Sequence, residues 1–207
     1  MWARVVSVLF HPLFIPTYLF AYLAWALPTS LEPVAPGGHE RFLLFFFLVT
    51  SVLPILNIAM FKAFGTVHSF SMPTRRERLL PFVLISVIYV SLTYLLYLKG
   101  GMNLNDNFLR FMIVIDMLVV SATIATFFFK VSVHSVTMWG LIGILVPLNK
   151  ITEVSTIFYL TIGVIVLAGV VMSARLYTGS HTSREVMWGA VLGLITGFSG
   201  MLMLFRP

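Results

Sequence analysis

Seven apolar stretches dominate this chain, at roughly residues 5–27, 42–63, 80–98, 109–129, 135–148, 152–173 and 185–205, with short polar segments between them. About 20 apolar residues are what a helix needs to cross the hydrocarbon of a bilayer. A backbone in hydrocarbon must satisfy its own hydrogen bonds, and successive runs of this length do so as helices. The expectation is therefore an all-α, multi-pass transmembrane bundle of about seven spans. It should be one integral membrane domain over residues 1–207, because no segment between spans is long enough to fold alone. With 59% hydrophobic and 10% charged residues, a soluble domain is excluded. The net charge of +6 leaves membrane lipids as partners, while no soluble basic region exists to hold nucleic acid. The absence of cysteine removes disulfide and thiolate chemistry. An integral protein of a bacterial inner (cytoplasmic) membrane is expected.

The first stretch carries His11, Pro12 and Pro16, so a kink or delayed start is expected there. It is too long for a signal peptide and reads as a retained span. With seven crossings, the segments after spans two, four and six fall on the membrane side of the N-terminus, here called side A. Those segments hold Arg75, Arg76 and Arg78; Lys130, Ser132 and His134; and Arg175 through Glu185. Each lies where one helix ends and another begins, and helix N-termini carry unpaired N–H groups that suit an anion.

The third cluster carries the most chemistry. His181 and Glu185 are four residues apart, which on a helix puts them on one face. A carboxylate on an imidazole is how a histidine is oriented for catalysis. Arg175 nearby points to an anionic substrate. The plainer alternative is that Thr182 and Glu185 form a capping box that starts the last helix. A carboxylate has two oxygens, so both roles can coexist.

These residues resemble the type 2 phosphatidic acid phosphatase superfamily. Arg175-x5-His181-x3-Glu185 looks like its third signature, Ser-Arg-x5-His-x3-Asp, with Ala174 for Ser and Glu185 for Asp. Val131-Ser132-Val133-His134 resembles the second, Pro-Ser-Gly-His, with valine at both departures. The first signature, Lys-x6-Arg-Pro, is matched only in position by Arg75-x2-Arg78-x2-Pro81. The resemblance covers about residues 60–200 and implies a six-helix phosphatase-like core plus one further span. It implies His181 as the nucleophile on phosphorus, Glu185 as its orienter and His134 as the general acid. It implies Arg175, Arg78, Arg75, Ser132 and Lys130 as phosphate holders, with no metal and no cofactor. Phosphoryl transfer by positioning and charge stabilisation fits that set.

Other readings stay open at this point. His134 alone could be an interfacial histidine bonded to a carbonyl, and Arg75, Arg76 and Arg78 could be a loop at the lipid headgroups. Asp116 is ionisable inside a span, nearer the far side B, and reads as a protonated or helix–helix bonded side chain. His11 and Tyr18 lie close to the side-A mouth without an assigned role. The functional expectation is a metal-independent phosphatase for a lipid phosphate or diphosphate, phospholipid or polyprenyl, working through a phosphohistidine. A phosphotransferase is a close variant. The rival is a non-catalytic binder or transporter of anionic lipids on the same fold.

Overall fold

The computed structural model describes residues 1–205 and is an all-α bundle. In chain order the helices are α1 (Trp2–Leu9), α2 (Ile15–Ala26), α3 (His39–Phe47), α4 (Leu53–Ala63), α5 (Arg75–Lys99), α6 (Asn107–Phe128), α7 (Val133–Thr152), α8 (Ser155–Tyr177) and α9 (Ser183–Leu204). A π-helical turn, Leu48–Val52, joins α3 to α4 where Pro54 follows, so the two run on as one long helix. Six helices are long and apolar enough to cross a membrane: Pro36–Ala63, α5, α6, α7, α8 and α9.

The expected first span is corrected. Among the described residues, no single membrane-length helix covers 5–27; the stretch breaks into α1 and α2 around Phe10–Phe14. Pro12 has no N–H to give and disfavours helical geometry at His11, while Pro16 opens α2, where its missing N–H costs nothing. α1 packs against the end of α8, with Trp2 and Tyr177 ring centroids 5.6 Å apart. α2 reaches the opposite end, where the Tyr22 hydroxyl donates to the Thr156 carbonyl at 2.9 Å. The segment still leads from side A to side B, so the side assignment of the three polar clusters stands.

Local sequence explains the side-A helix starts. Thr74 caps α5 by accepting from the Glu77 N–H, and Ser132 caps α7 by accepting from the Ser135 N–H. Thr182 and Glu185 form a full capping box on α9. Gly179, at φ +63°, makes the turn out of α8 that brings His181 back toward the bundle.

A glycine seam sets the spacing of α7 and α9. A Cβ at Gly189 would sit 2.7 Å from the Ser132 carbonyl oxygen, and one at Gly193 or Gly197 would overlap the carbonyl of Val136 or Gly140. Without those side chains the two backbones touch, as small residues four apart allow between membrane helices. The Ser132 N–H then donates to the Glu185 carbonyl at 3.1 Å, locking the start of α7 to the start of α9.

Candidate active site

A cavity of about 340 Å³ opens at side A and runs into the bundle. Its walls are stripes at helical spacing: Phe82, Ile85 and Tyr89 of α5; Ile115, Leu118, Val119 and Ala122 of α6; and Thr137, Leu141 and Ile144 of α7. Ile15, Pro16 and Leu19 of α2 close it on the remaining side. From His134 to Ile144 is ten residues of α7, so the cavity extends about 15 Å at 1.5 Å per residue. Beyond the mouth nearly all of these side chains are apolar. Tyr89, near the inner end, is buried with its hydroxyl donated to the Thr50 carbonyl at 2.8 Å.

The polar mouth gathers Arg78, His134, Arg175, His181 and His11. His181 Nδ1 lies 2.7 Å from Glu185 Oε2, with its side chain 2% exposed. The carboxylate accepts, so Nδ1 carries the proton and Nε2 keeps its lone pair. The same Oε2 accepts from the Thr182 N–H at 3.3 Å and lies 3.6 Å from Lys130 Nζ. Burial, and then the Arg78 charge, push the His181 imidazole down to about 4 against the opposing hydrogen bond from Glu185. The ring is neutral at pH 7, the state a nucleophile requires.

Arg78 is buried and held by two carbonyls, Nε to Met72 at 2.8 Å and Nη1 to Val131 at 3.0 Å, which fix the plane of its guanidinium and leave Nη2. Arg175 lines the same mouth, and its buried Nε has no hydrogen-bond partner among the described residues. An unmet donor of that kind fits an anion better than it fits an empty apolar wall. His134 Nε2 lies 3.0 Å from the Ser7 carbonyl oxygen and donates to it, which leaves Nδ1 for the cavity.

Three residues expected at the phosphate stand elsewhere. Arg75 Nη1 donates to the Phe127 and Phe128 carbonyls at 2.7 and 2.9 Å and so caps the end of α6. Ser132 is fully buried as the N-cap of α7 and does not line the cavity. Lys130 donates to the Ser180 carbonyl at 3.1 Å and holds Glu185. Arg75 and Ser132 thus shape the backbone around the site, and Lys130 fixes the carboxylate that orients His181.

Asp116 is buried on α6 with Oδ1 unpartnered, and it is not among the cavity's lining residues. Among the described residues, no three His, Asp or Glu side chains are grouped as a metal ion would need.

His11 has no role assigned from the sequence alone. Its ring lies in a T-shaped contact with His134, centroids 5.4 Å apart, and it lines the mouth. The available signal was the His-Pro pair that breaks the first span and frees a polar side chain to turn inward. The glycine seam was also unassigned, although Gly189, Gly193 and Gly197 recur every four residues.

Compared with known proteins, the chain matches no family model, no curated protein and no solved structure.

Proposed function

We propose that this protein is a membrane-embedded, metal-independent phosphatase for a lipid phosphate or diphosphate. One observation carries the reading: a single cavity joins a neutral, carboxylate-oriented histidine and two arginines at its mouth to an apolar interior. The arginines suit a phosphoryl group at the membrane surface, and the interior suits the substrate's hydrocarbon tail. The motif resemblance in Arg175-x5-His181-x3-Glu185 supports the same chemistry.

In this reading His181 Nε2 attacks phosphorus in line with the leaving oxygen. The Glu185 carboxylate stabilises the positive charge that develops on the ring. Arg78 and Arg175 take up charge on the non-bridging oxygens. The bond from phosphorus to the lipid oxygen breaks, and that oxygen takes a proton from Nδ1 of protonated His134. The Ser7 carbonyl holds the opposite N–H of that ring and turns Nδ1 toward the cavity. Water, deprotonated by His134, then cleaves the phosphohistidine, releases phosphate and restores both rings.

The rival, a binder of anionic lipids without turnover, gains from the placement of Arg75, Ser132 and Lys130 away from the cavity, which leaves fewer phosphate ligands than the motifs imply. The deciding experiment is phosphate release in detergent with a chelator present, over phospholipid and polyprenyl phosphates. Turnover without metal, lost by at least about 10³-fold in His181→Ala, is expected. Retained turnover in His181→Ala would sink the mechanism, and no turnover on any substrate would favour the binder.

A further inference from the structure

We propose that His11 is a phosphate-binding residue of this site, donating its Nε2–H to a non-bridging oxygen of the bound phosphoryl group. The inference rests on the phosphatase reading for its turnover measurement alone; its binding measurement stands apart from it.

The Leu13 backbone N–H points at His11 Nδ1, 3.4 Å away. A backbone N–H can only donate, so Nδ1 is the acceptor and the ring proton sits on Nε2. The neighbouring backbone is tied down from both sides. Ser7 O accepts from His134 at 3.0 Å, and Leu13 O accepts from the Ser51 hydroxyl at 2.7 Å. The break between α1 and α2 is thus anchored to α7 and to the π turn, and it places the ring at the cavity mouth beside His134. Burial, and then the Arg175 charge, lower the His11 imidazole to about 4, so it stays neutral.

A neutral ring with its proton on Nε2 suits donation to an anion and does not suit general acid catalysis. To protonate a leaving oxygen the ring would need a second proton on Nδ1, where the Leu13 N–H already points. His134 has the opposite arrangement, its Nε2–H on a carbonyl and its Nδ1 free. The two histidines therefore divide the work: His134 exchanges protons and His11 supplies a fixed donor. His11 makes up part of the shortfall left by Arg75, Ser132 and Lys130, each of which is bound elsewhere. It also lies outside the stretch that carries the motif resemblance.

The test compares His11→Phe with His11→Gln. Both remove the Nδ1 acceptor, so any structural cost of losing the Leu13 contact falls on both. Only Gln restores an N–H donor near the position of Nε2. In a His181→Ala background, which cannot turn over by this route, the affinity for dodecyl phosphate is measured in detergent. His11→Phe should weaken binding by about tenfold to a hundredfold, as expected for one hydrogen bond to a charged group. His11→Gln should stay within about threefold of the parent. In the otherwise native chain the same ordering should appear in kcat/KM. Equal binding by His11→Phe and the parent would overturn the proposal. So would equal weakening by Phe and Gln, which would mark a structural role, or no binding of dodecyl phosphate by the parent. Binding that follows the expected order in a chain without phosphatase activity would uphold His11 and defeat the phosphatase reading instead.

Discussion

Glu185 shows how closely structure and chemistry share atoms at the residue scale. Its Oε2 closes the capping box of α9, orients His181 and pairs with Lys130. The three-residue spacing from Thr182 and the four-residue spacing from His181 made the capping and orienting roles of Glu185 legible, as alternatives or as a pair using two oxygens. The structure puts both on one oxygen. That shared oxygen has a measurable consequence. His181 should titrate in the substrate-free protein near pH 4, well below the ordinary histidine value of about 6.5, because burial and Arg78 outweigh Glu185. Glu185→Gln can keep the capping box but removes the charge that raises the ring. Its midpoint should therefore fall further, and kcat should drop by about 10²- to 10³-fold while the fold is kept. Histidine ring resonances followed by NMR from pH 7 downward through pH ~3 check this. A His181 midpoint near 6.5 in either protein would contradict it. His11 was not legible as a partner of His134 because 123 residues separate them. Only the folded break at Pro12 places one ring against the other.

At the scale of elements, helix existence was legible and helix contacts were not. Spans two to seven appear close to where apolar length puts them, because crossing a bilayer fixes length and polarity together. The first failed as one helix since hydropathy measures composition, whereas Pro12 and Pro16 act on backbone geometry. The α7–α9 contact was written in Gly189, Gly193 and Gly197, yet a four-residue glycine repeat states no partner until α7 is beside it. The seam controls how far His181 stands from His134, because it holds the starts of α7 and α9 together. Gly193→Ala would drive a Cβ into the Val136 carbonyl, which is backbone and cannot rotate away. A loss of about 1–3 kcal/mol in stability is expected, as for overpacking elsewhere, with a further loss of turnover in the protein that remains folded. Gly163→Ala on α8 meets nothing within 4 Å and serves as the control. Thermal unfolding in detergent, with turnover normalised to folded protein, reads both. Equal behaviour of the two variants would remove the seam's role.

Across the whole molecule, the bundle sets the charged mouth of the cavity at one membrane face and leaves an apolar interior behind it. Four helices supply its walls at three- and four-residue spacing, so under the proposed lipid phosphatase function a side chain deep in α7 would meet the substrate tail without touching the phosphate. Ile144 is buried, lines the inner part and lies about 15 Å along α7 from His134. Ile144→Trp should fill space that a tail would occupy. Each buried methylene contributes about 0.8 kcal/mol, so excluding two of them costs about tenfold in kcat/KM. That loss should fall on dodecyl phosphate and spare butyl phosphate, whose shorter chain stays near the mouth. The change in ratio separates tail binding from damage to the catalytic groups, which would slow both substrates alike. An unchanged ratio would mean that the tail does not enter the cavity, and the substrate would then have to be sought among phosphates whose apolar part remains in the surrounding lipid.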